Sequence, residues 1–131
     1  MADFEKAGLL CVRNGRVLLC RKIHTTPLLI LPGGGIEPGE TAEECLHREV
    51  AEELGAVRLG ALEYLGVYES PAAVAGKTVK VELFSGALLG EPQAASEIKE
   101  LIWFGPGDDP ASLAPSLRDV IFPDLTRRGI L

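Results

Sequence analysis

The sequence predicts an α/β fold in which strands flank one central helix. Three observations carry that expectation. Two aliphatic runs, residues 7–13 and 16–23, are separated by Asn14-Gly15, a dipeptide that tolerates positive φ at both positions and so favours a two-residue hairpin. A break at Pro32-Gly33-Gly34-Gly35 is followed by a segment with a complete helix-start pattern. Beyond that segment, β-type apolar runs return between Gly- and Pro-rich connections.

Taken in order, the first two runs pair as a hairpin, and a third short run, residues 28–31, ends abruptly at Pro32. The helix is placed at about residues 41–54: Thr41 and Glu44 form a capping box, and Gly55 is the natural stop. Residues 62–67 and 79–89 read as strands joined by a loop that contains Pro71 and Gly76. Residues 97–104 read as another strand, closed by Gly105-Pro106-Gly107. Residues 116–128 look helical, with Pro123 expected to start, kink or interrupt the helix. No repeat, low-complexity block or domain linker interrupts the chain, so residues 1–131 are expected to form one domain.

Composition narrows the function. With 131 residues and 47% apolar content the chain can bury a core without disulfides or metals. Nineteen acidic against 13 basic residues, a formal charge of −6, argue against a nucleic-acid polymer as partner, because backbone binding needs clustered Lys and Arg. The same acidity is compatible with a small phosphate ligand held through a divalent cation, since carboxylates are what hard cations need. The N-terminal residues lack the charged-then-apolar pattern of a secretory signal, and no apolar run approaches a membrane span. Cys11, Cys20 and Cys45 form no CxxC pair and have aliphatic neighbours, so they read as buried reduced thiols. A cytoplasmic protein with no membrane partner is expected.

The most informative stretch is residues 34–56. On a helical wheel Glu49 and Glu53 fall within about 40° of each other, with Glu52 about 60° further round. Ala42, Cys45 and Leu46 share that arc, so three carboxylates lie on the face that carries small apolar residues. A Glu-rich helix is ordinarily a solvated face. Like charges at i,i+4 are nevertheless mildly destabilising, and burying three anions is far more so. A bound divalent cation removes both objections. Arg48 can offer a bidentate fork to a further carboxylate, Glu40 being the nearest candidate.

Gly34, Glu40, Arg48-Glu49-Val50, Glu52-Glu53 and Gly55, at these spacings, resemble the Nudix box. Only the final slot departs, with Ala56 in place of a bulkier aliphatic, which touches packing rather than chemistry. Leu31-Pro32-Gly33 and the flanking strands fit the same family. The resemblance implies an α/β/α sandwich with a mixed central sheet, and hydrolysis of a nucleoside diphosphate linked to another group, with Mg²⁺ or Mn²⁺ as cofactor. It implies Glu49, Glu52 and Glu53 as metal ligands with the Gly34 carbonyl, Glu49 or Glu53 as general base, and Glu40 and Arg48 as residues that position them. Gly33, Gly34 and Gly35 would let the backbone turn sharply toward the metal.

Beyond the box, residues 97–103 resemble the Glu-Ile-x-Glu-Leu-x-Trp piece of many members, which implies Glu97 as accessory ligand or base, with Glu100 second. Arg21 and Lys22 end a strand where relatives use a basic side chain on substrate phosphates, and only one of two adjacent strand residues can face the site. His24 and His47 lack metal-ligand spacing, and Trp103 reads as core rather than as a base-stacking residue. The compact chain resembles the MutT-like enzymes, which convert a nucleoside triphosphate to a monophosphate and pyrophosphate. Its only asparagine is Asn14 in the hairpin, so oxidised-guanine specificity is not assigned. The alternative is an ADP-ribose or nucleotide-sugar pyrophosphatase, suggested by Pro71 and favoured if the chain is a homodimer. A nucleotide-sensing module is the third reading, opposed by the retention of every box carboxylate.

Overall fold

The computed structural model describes residues 2–24, 27–72 and 75–131. Its strands are β1 (Phe4–Leu10), β2 (Val12–Arg13), β3 (Arg16–Lys22), β4 (Gly33–Gly35), β5 (Arg58–Leu59), β6 (Glu63–Pro71), β7 (Thr78–Ser85), β8 (Leu88–Leu89) and β9 (Ile98–Phe104). A four-stranded sheet has the order β4-β1-β7-β6, a three-stranded one β2-β3-β9, and β5 pairs with β8. The larger sheet is mixed: β1 and β7 are parallel, and its other pairs are antiparallel.

Asn14 and Gly15 turn the hairpin with φ of 51° and 75°, as a primed two-residue turn requires. The strand expected over 7–13 is divided. β1 belongs to the mixed sheet and β2 to the other, with Cys11 at the crossing. No Gly or Pro marks that crossing, so the apolar run gives no sign of it. The strand expected over 79–89 likewise breaks at Gly86-Ala87 into β7 and β8. The run 28–31 makes only single bridges, Ile30 to Cys20 and Leu29 to Leu113. Pro71, expected in a loop, is instead the last residue of β6, opposite Thr78; β6 is an edge strand, where a missing N–H is tolerated. Part of the expected loop, residues 73 and 74, lies outside the described residues.

The central helix α1 (Ala42–Glu53) has the expected capping box. Thr41 Oγ1 accepts from Glu44 N at 3.1 Å, and Glu44 Oε1 accepts from Thr41 N at 2.9 Å. Gly55 follows with φ of 76°. The C-terminal segment opens with a π-turn, Leu117–Ile121, and runs into a short helix, α2 (Phe122–Arg127). Pro123 explains the widening: it has no N–H for the preceding turn, and its ring crowds the carbonyl four residues back.

Side chains of β1 and β3 alternate between two cores. Ala7, Leu9 and Leu18 pack under α1 with Cys45, Leu46, Val50 and Leu54. Leu10, Val17 and Leu19 pack with Leu117, Ile121 and Leu125. The helices therefore cover opposite faces of the strands, which is the α/β/α arrangement with a mixed sheet. All three cysteines are buried and free. Among the described residues, no helix is long and apolar enough to cross a membrane.

Candidate active site

Cys45, Leu46 and Val50 anchor α1 against the sheet, and helical spacing then directs the glutamates of its last turns to one edge of that contact. Side-chain exposure falls from 54% at Glu52 to 16% at Glu49 and 6% at Glu53. The three border a cleft of about 210 Å³. Gly34 and Gly35 of β4 and Lys22 at the end of β3 form further walls, and Ser96 and Glu97 close it from just ahead of β9.

The glycines form an extended strand rather than the expected sharp turn. In register, Gly35, Gly34 and Gly33 lie opposite Lys6, Ala7 and Gly8 of β1. Gly33 has φ of 139°, and a Cβ there would stand 2.0 Å from the Ala7 carbonyl oxygen. At Gly34 a Cβ would stand 2.5 Å from the Glu49 carboxyl carbon. Gly33 is thus required by backbone contact and positive φ; at Gly34 the conflict is with the movable end of the Glu49 side chain, and a Cβ at Gly35 would meet nothing within 4 Å. Cys45 ties the helix to this strand, its Sγ donating to the carbonyls of Gly34 at 3.4 Å and Gly35 at 3.3 Å. Burial and nearby carboxylates push that thiol up to about 11.

Arg48 is the hub of the outer wall. Its Nε and Nη2 donate to the two oxygens of Glu40 at 2.8 and 2.9 Å, and its Nη1 donates to Glu49 Oε1 at 2.8 Å. Nη2 also reaches the Gly35 carbonyl at 3.1 Å. The guanidinium fork, with a backbone hydrogen bond from Glu37, lowers the Glu40 carboxyl to about 2. Glu53 goes the other way. Burial raises its carboxyl to about 7, against the opposing effects of the Gly33 N–H, which donates to Oε1 at 2.9 Å, and of Lys22, whose Nζ is 3.8 Å from Oε2. Glu49 and Glu52 add to the rise.

The structure brings Gly34, Glu49, Glu52, Glu53, Glu97 and Lys22 to one cleft, with Glu40 and Arg48 behind Glu49. It does not bring Arg21 there. Arg21 is ion-paired with Glu100, and its Nε donates to the Pro27 carbonyl at 2.6 Å. Neighbouring strand residues point to opposite faces, so Lys22 takes the cleft and Arg21 and Glu100 satisfy each other elsewhere. His24 and His47 are exposed. Trp103 packs against the α1-side core with the Arg13 guanidinium 5.3 Å over its ring. Sequence reasoning passed over Ser96, which holds a positive φ of 55° at the cleft, and Lys6, opposite Gly35. Neither carries a local signal: Ser96 meets the cleft from a turn ahead of β9, and Lys6 stands beside a lining glycine only through the β1–β4 pairing.

Among the described residues, no three acidic, His or Cys side chains form a ready-made metal cage. Mg²⁺ is usually held by one or two carboxylates, waters and substrate phosphates rather than by an all-protein cage. The donors are hard oxygens, and Glu53 is buried beyond what the distant Lys22 compensates. Glu49, Glu52, Glu53 and the Gly34 carbonyl are the groups that would hold such an ion.

A family model described as the NUDIX domain matches residues 5–123. A Bacillus subtilis protein provisionally named as an 8-oxo-dGTP diphosphatase is 32% identical over 114 residues, covering 86% of this chain and 73% of that protein. The ADP-ribose pyrophosphatase of Methanocaldococcus jannaschii is 38% identical over 96 residues, covering 70% of this chain and 56% of that protein. The match to the NAD-capped RNA hydrolase NudC of Chromobacterium violaceum is 47% identical but spans only 22% of that protein. Among solved structures, the MutT NUDIX hydrolase of Burkholderia pseudomallei superposes with a TM-score of 0.76 at 28% identity, covering 88% of this chain and 92% of that one.

Proposed function

The chain belongs to the Nudix family of hydrolases that act on nucleotide substrates, and from that premise we propose that it hydrolyses nucleoside triphosphates to nucleoside monophosphate and pyrophosphate with Mg²⁺ as cofactor, Mn²⁺ serving as a substitute. One observation carries this reading: three carboxylates from a single helix, a glycine strand, a lysine and a further glutamate line one small polar cleft. A bound divalent cation supplies charge neutralisation on the phosphates and acidifies an attacking water.

The chain's own groups divide the remaining work. Arg48 holds Glu49 Oε1 and so fixes a carboxylate that borders the cleft. Held in this way, Glu49 serves as ligand. Glu53, the most buried of the three and the one that accepts from the Gly33 N–H, is the carboxylate we assign as general base. Water then attacks a phosphorus of the anhydride, its proton passes to the carboxylate, and the phosphorus–oxygen bond to pyrophosphate breaks. Glu97 is exposed at the cleft and makes no ion pair among the described residues, which suits an accessory ligand. Lys22 supplies positive charge to the phosphate chain. The relative named as an ADP-ribose pyrophosphatase supports the alternative substrate.

The test is a Mg²⁺-dependent phosphate-release screen over nucleoside triphosphates, ADP-ribose, nucleotide sugars and dinucleoside polyphosphates. Turnover of triphosphates above the other substrates is expected. Preference for ADP-ribose would replace this reading with the alternative, and no turnover with either metal would replace it with a sensor.

A further inference from the structure

The loop that carries Ser96 and Glu97 to the cleft is pinned on both sides. Gln93 N donates to the Leu54 carbonyl and Ala95 N to the Glu53 carbonyl, each at 3.0 Å, and so they take up two of the carbonyls that a helix end leaves unpaired. Ile98 N donates to the Ala95 carbonyl at 3.0 Å, which closes a turn over Ala95-Ser96-Glu97-Ile98. Ile23 N, next to Lys22, donates to the Glu97 carbonyl at 2.9 Å. The turn therefore bridges the helix that carries Glu53 and the strand that carries Lys22, with Glu97 between them at the cleft.

Ser96 is the corner of this turn, with φ of 55°. Positive φ at the second turn residue alone is the type II′ pattern, in which glycine leads because a Cβ is crowded there. Among the described residues the only other non-glycine with positive φ is Asn14 of the hairpin, a residue type that tolerates it. The Ser96 side chain is exposed and has no protein hydrogen-bond partner among the described residues, so no side-chain contact accounts for its conformation. A backbone held against its preference persists where the surroundings over-determine it, and such positions gather at functional sites. Here the surroundings are the hydrogen bonds to α1 and β3, and the corner leads straight into Glu97. The strand just beyond adds a second irregularity: Lys99 is an extra residue between the Lys22–Ile98 and Arg21–Glu100 pairs, and bulges re-aim side chains beside active sites. Turn and bulge together set Glu97 in the cleft while Glu100 goes to Arg21.

We propose that Ser96 is a positioning residue: its left-handed backbone turns the Glu97 carboxylate into the cleft, where Glu97 joins the α1 carboxylates in holding a divalent cation. Ser96 acts through its backbone geometry and not through its hydroxyl. The proposal rests on the reading of Glu97 as accessory ligand, and does not depend on which nucleotide is cleaved.

The test titrates Mn²⁺ into the metal-free full chain and follows free Mn²⁺ by its paramagnetic resonance signal. It compares wild type with Glu97→Gln, Ser96→Val, Ser96→Gly and the double variant of Ser96→Val with Glu97→Gln. A branched Cβ resists positive φ, so Ser96→Val is expected to weaken Mn²⁺ binding about as much as Glu97→Gln does, roughly tenfold. In the double variant no further loss is expected, because the group Ser96 acts through is already gone. Ser96→Gly reaches the conformation freely and is expected to keep most of the affinity. If Ser96→Val does not fold, Ser96→Ala replaces it, with a smaller loss in the same pattern. Wild-type Mn²⁺ affinity in Ser96→Val, with only its melting temperature lowered, would overturn the proposal in favour of a purely structural role. A further loss in the double variant would overturn it too, and so would a loss in Ser96→Gly equal to that in Ser96→Val, which would give the effect to the hydroxyl. Unchanged affinity in Glu97→Gln would instead defeat the accessory-ligand reading, and this proposal with it.

Discussion

At the outer wall of the cleft Glu40 meets Arg48 through two hydrogen bonds of 2.8 and 2.9 Å; at its floor Glu53 meets Lys22 across 3.8 Å. Both are carboxylates of the same motif facing a cation, yet their proton affinities diverge. Glu40 is drawn down to about 2 by the guanidinium fork, and Glu53 is pushed up to about 7 by burial. Arg48 matches both oxygens of its partner and leaves nothing to satisfy, so that pair fixes the position of the wall. Lys22 is a single charge at a distance and leaves the buried carboxylate undercompensated. The contrast teaches that a satisfied ion pair builds a site, whereas an unsatisfied one is where a further cation or proton enters.

The comparison can be broken most sharply at Glu53. Glu53→Gln should lower kcat by orders of magnitude with the fold intact, and steady-state kinetics showing near-normal turnover would remove Glu53 from the chemistry. Next in size is Arg48→Ala, which frees both Glu40 and Glu49. We expect kcat/KM to fall about tenfold to a hundredfold together with a drop in melting temperature. Arg48→Lys should rescue little, because an ammonium cannot reproduce the fork. Gly34→Ala should come third: the added methyl forces the Glu49 carboxyl aside, so activity should fall by more than stability does. Kinetics and thermal melting on the same sample check this.

The smallest effect is pH dependence in metal-free protein, and here the two carboxylates have opposite signs. The folded pKa of Glu53 lies above its ordinary value of 4.5, so the folded state binds the extra proton. Its stabilising contribution is full below 4.5 and is lost as pH rises through about 7. Glu40 has a depressed folded pKa, so its contribution is present above 4.5 and is lost as pH falls toward 2. Urea midpoints at mildly acidic and mildly alkaline pH should show wild type weakening on the alkaline side and Glu53→Gln losing that slope. Parallel curves would mean that Glu53 is not desolvated as the structure has it.

Much of the cleft was legible before folding. The start, stop and carboxylate arc of α1 follow from short-range rules: a capping hydroxyl three residues before a glutamate, a glycine able to take positive φ, and a 3.6-residue period. The expected Glu40–Arg48 pair spans eight residues, a separation that one helix and its leading loop can encode. Pro123 announced an interruption, but the π-turn ahead of it is one of several ways a chain can accommodate a proline. The crossing at Cys11 was hidden because side chains on both sides are apolar, and an apolar run looks the same whether it stays in one sheet or passes between two.

By itself, then, the amino-acid sequence determined the local elements and the set of oxygen donors, since hydrogen bonds and periodicity within a dozen residues suffice for both. Only the tertiary structure decided which of Arg21 and Lys22 enters the cleft, that Glu100 turns away while Glu97 stays, that Glu53 is the buried carboxylate, and that Lys6 stands opposite Gly35. Those outcomes depend on strand pairing and on how deeply α1 sinks into the sheet. Desolvation is a property of everything packed around a group, and no residue's own neighbours in the chain can report it.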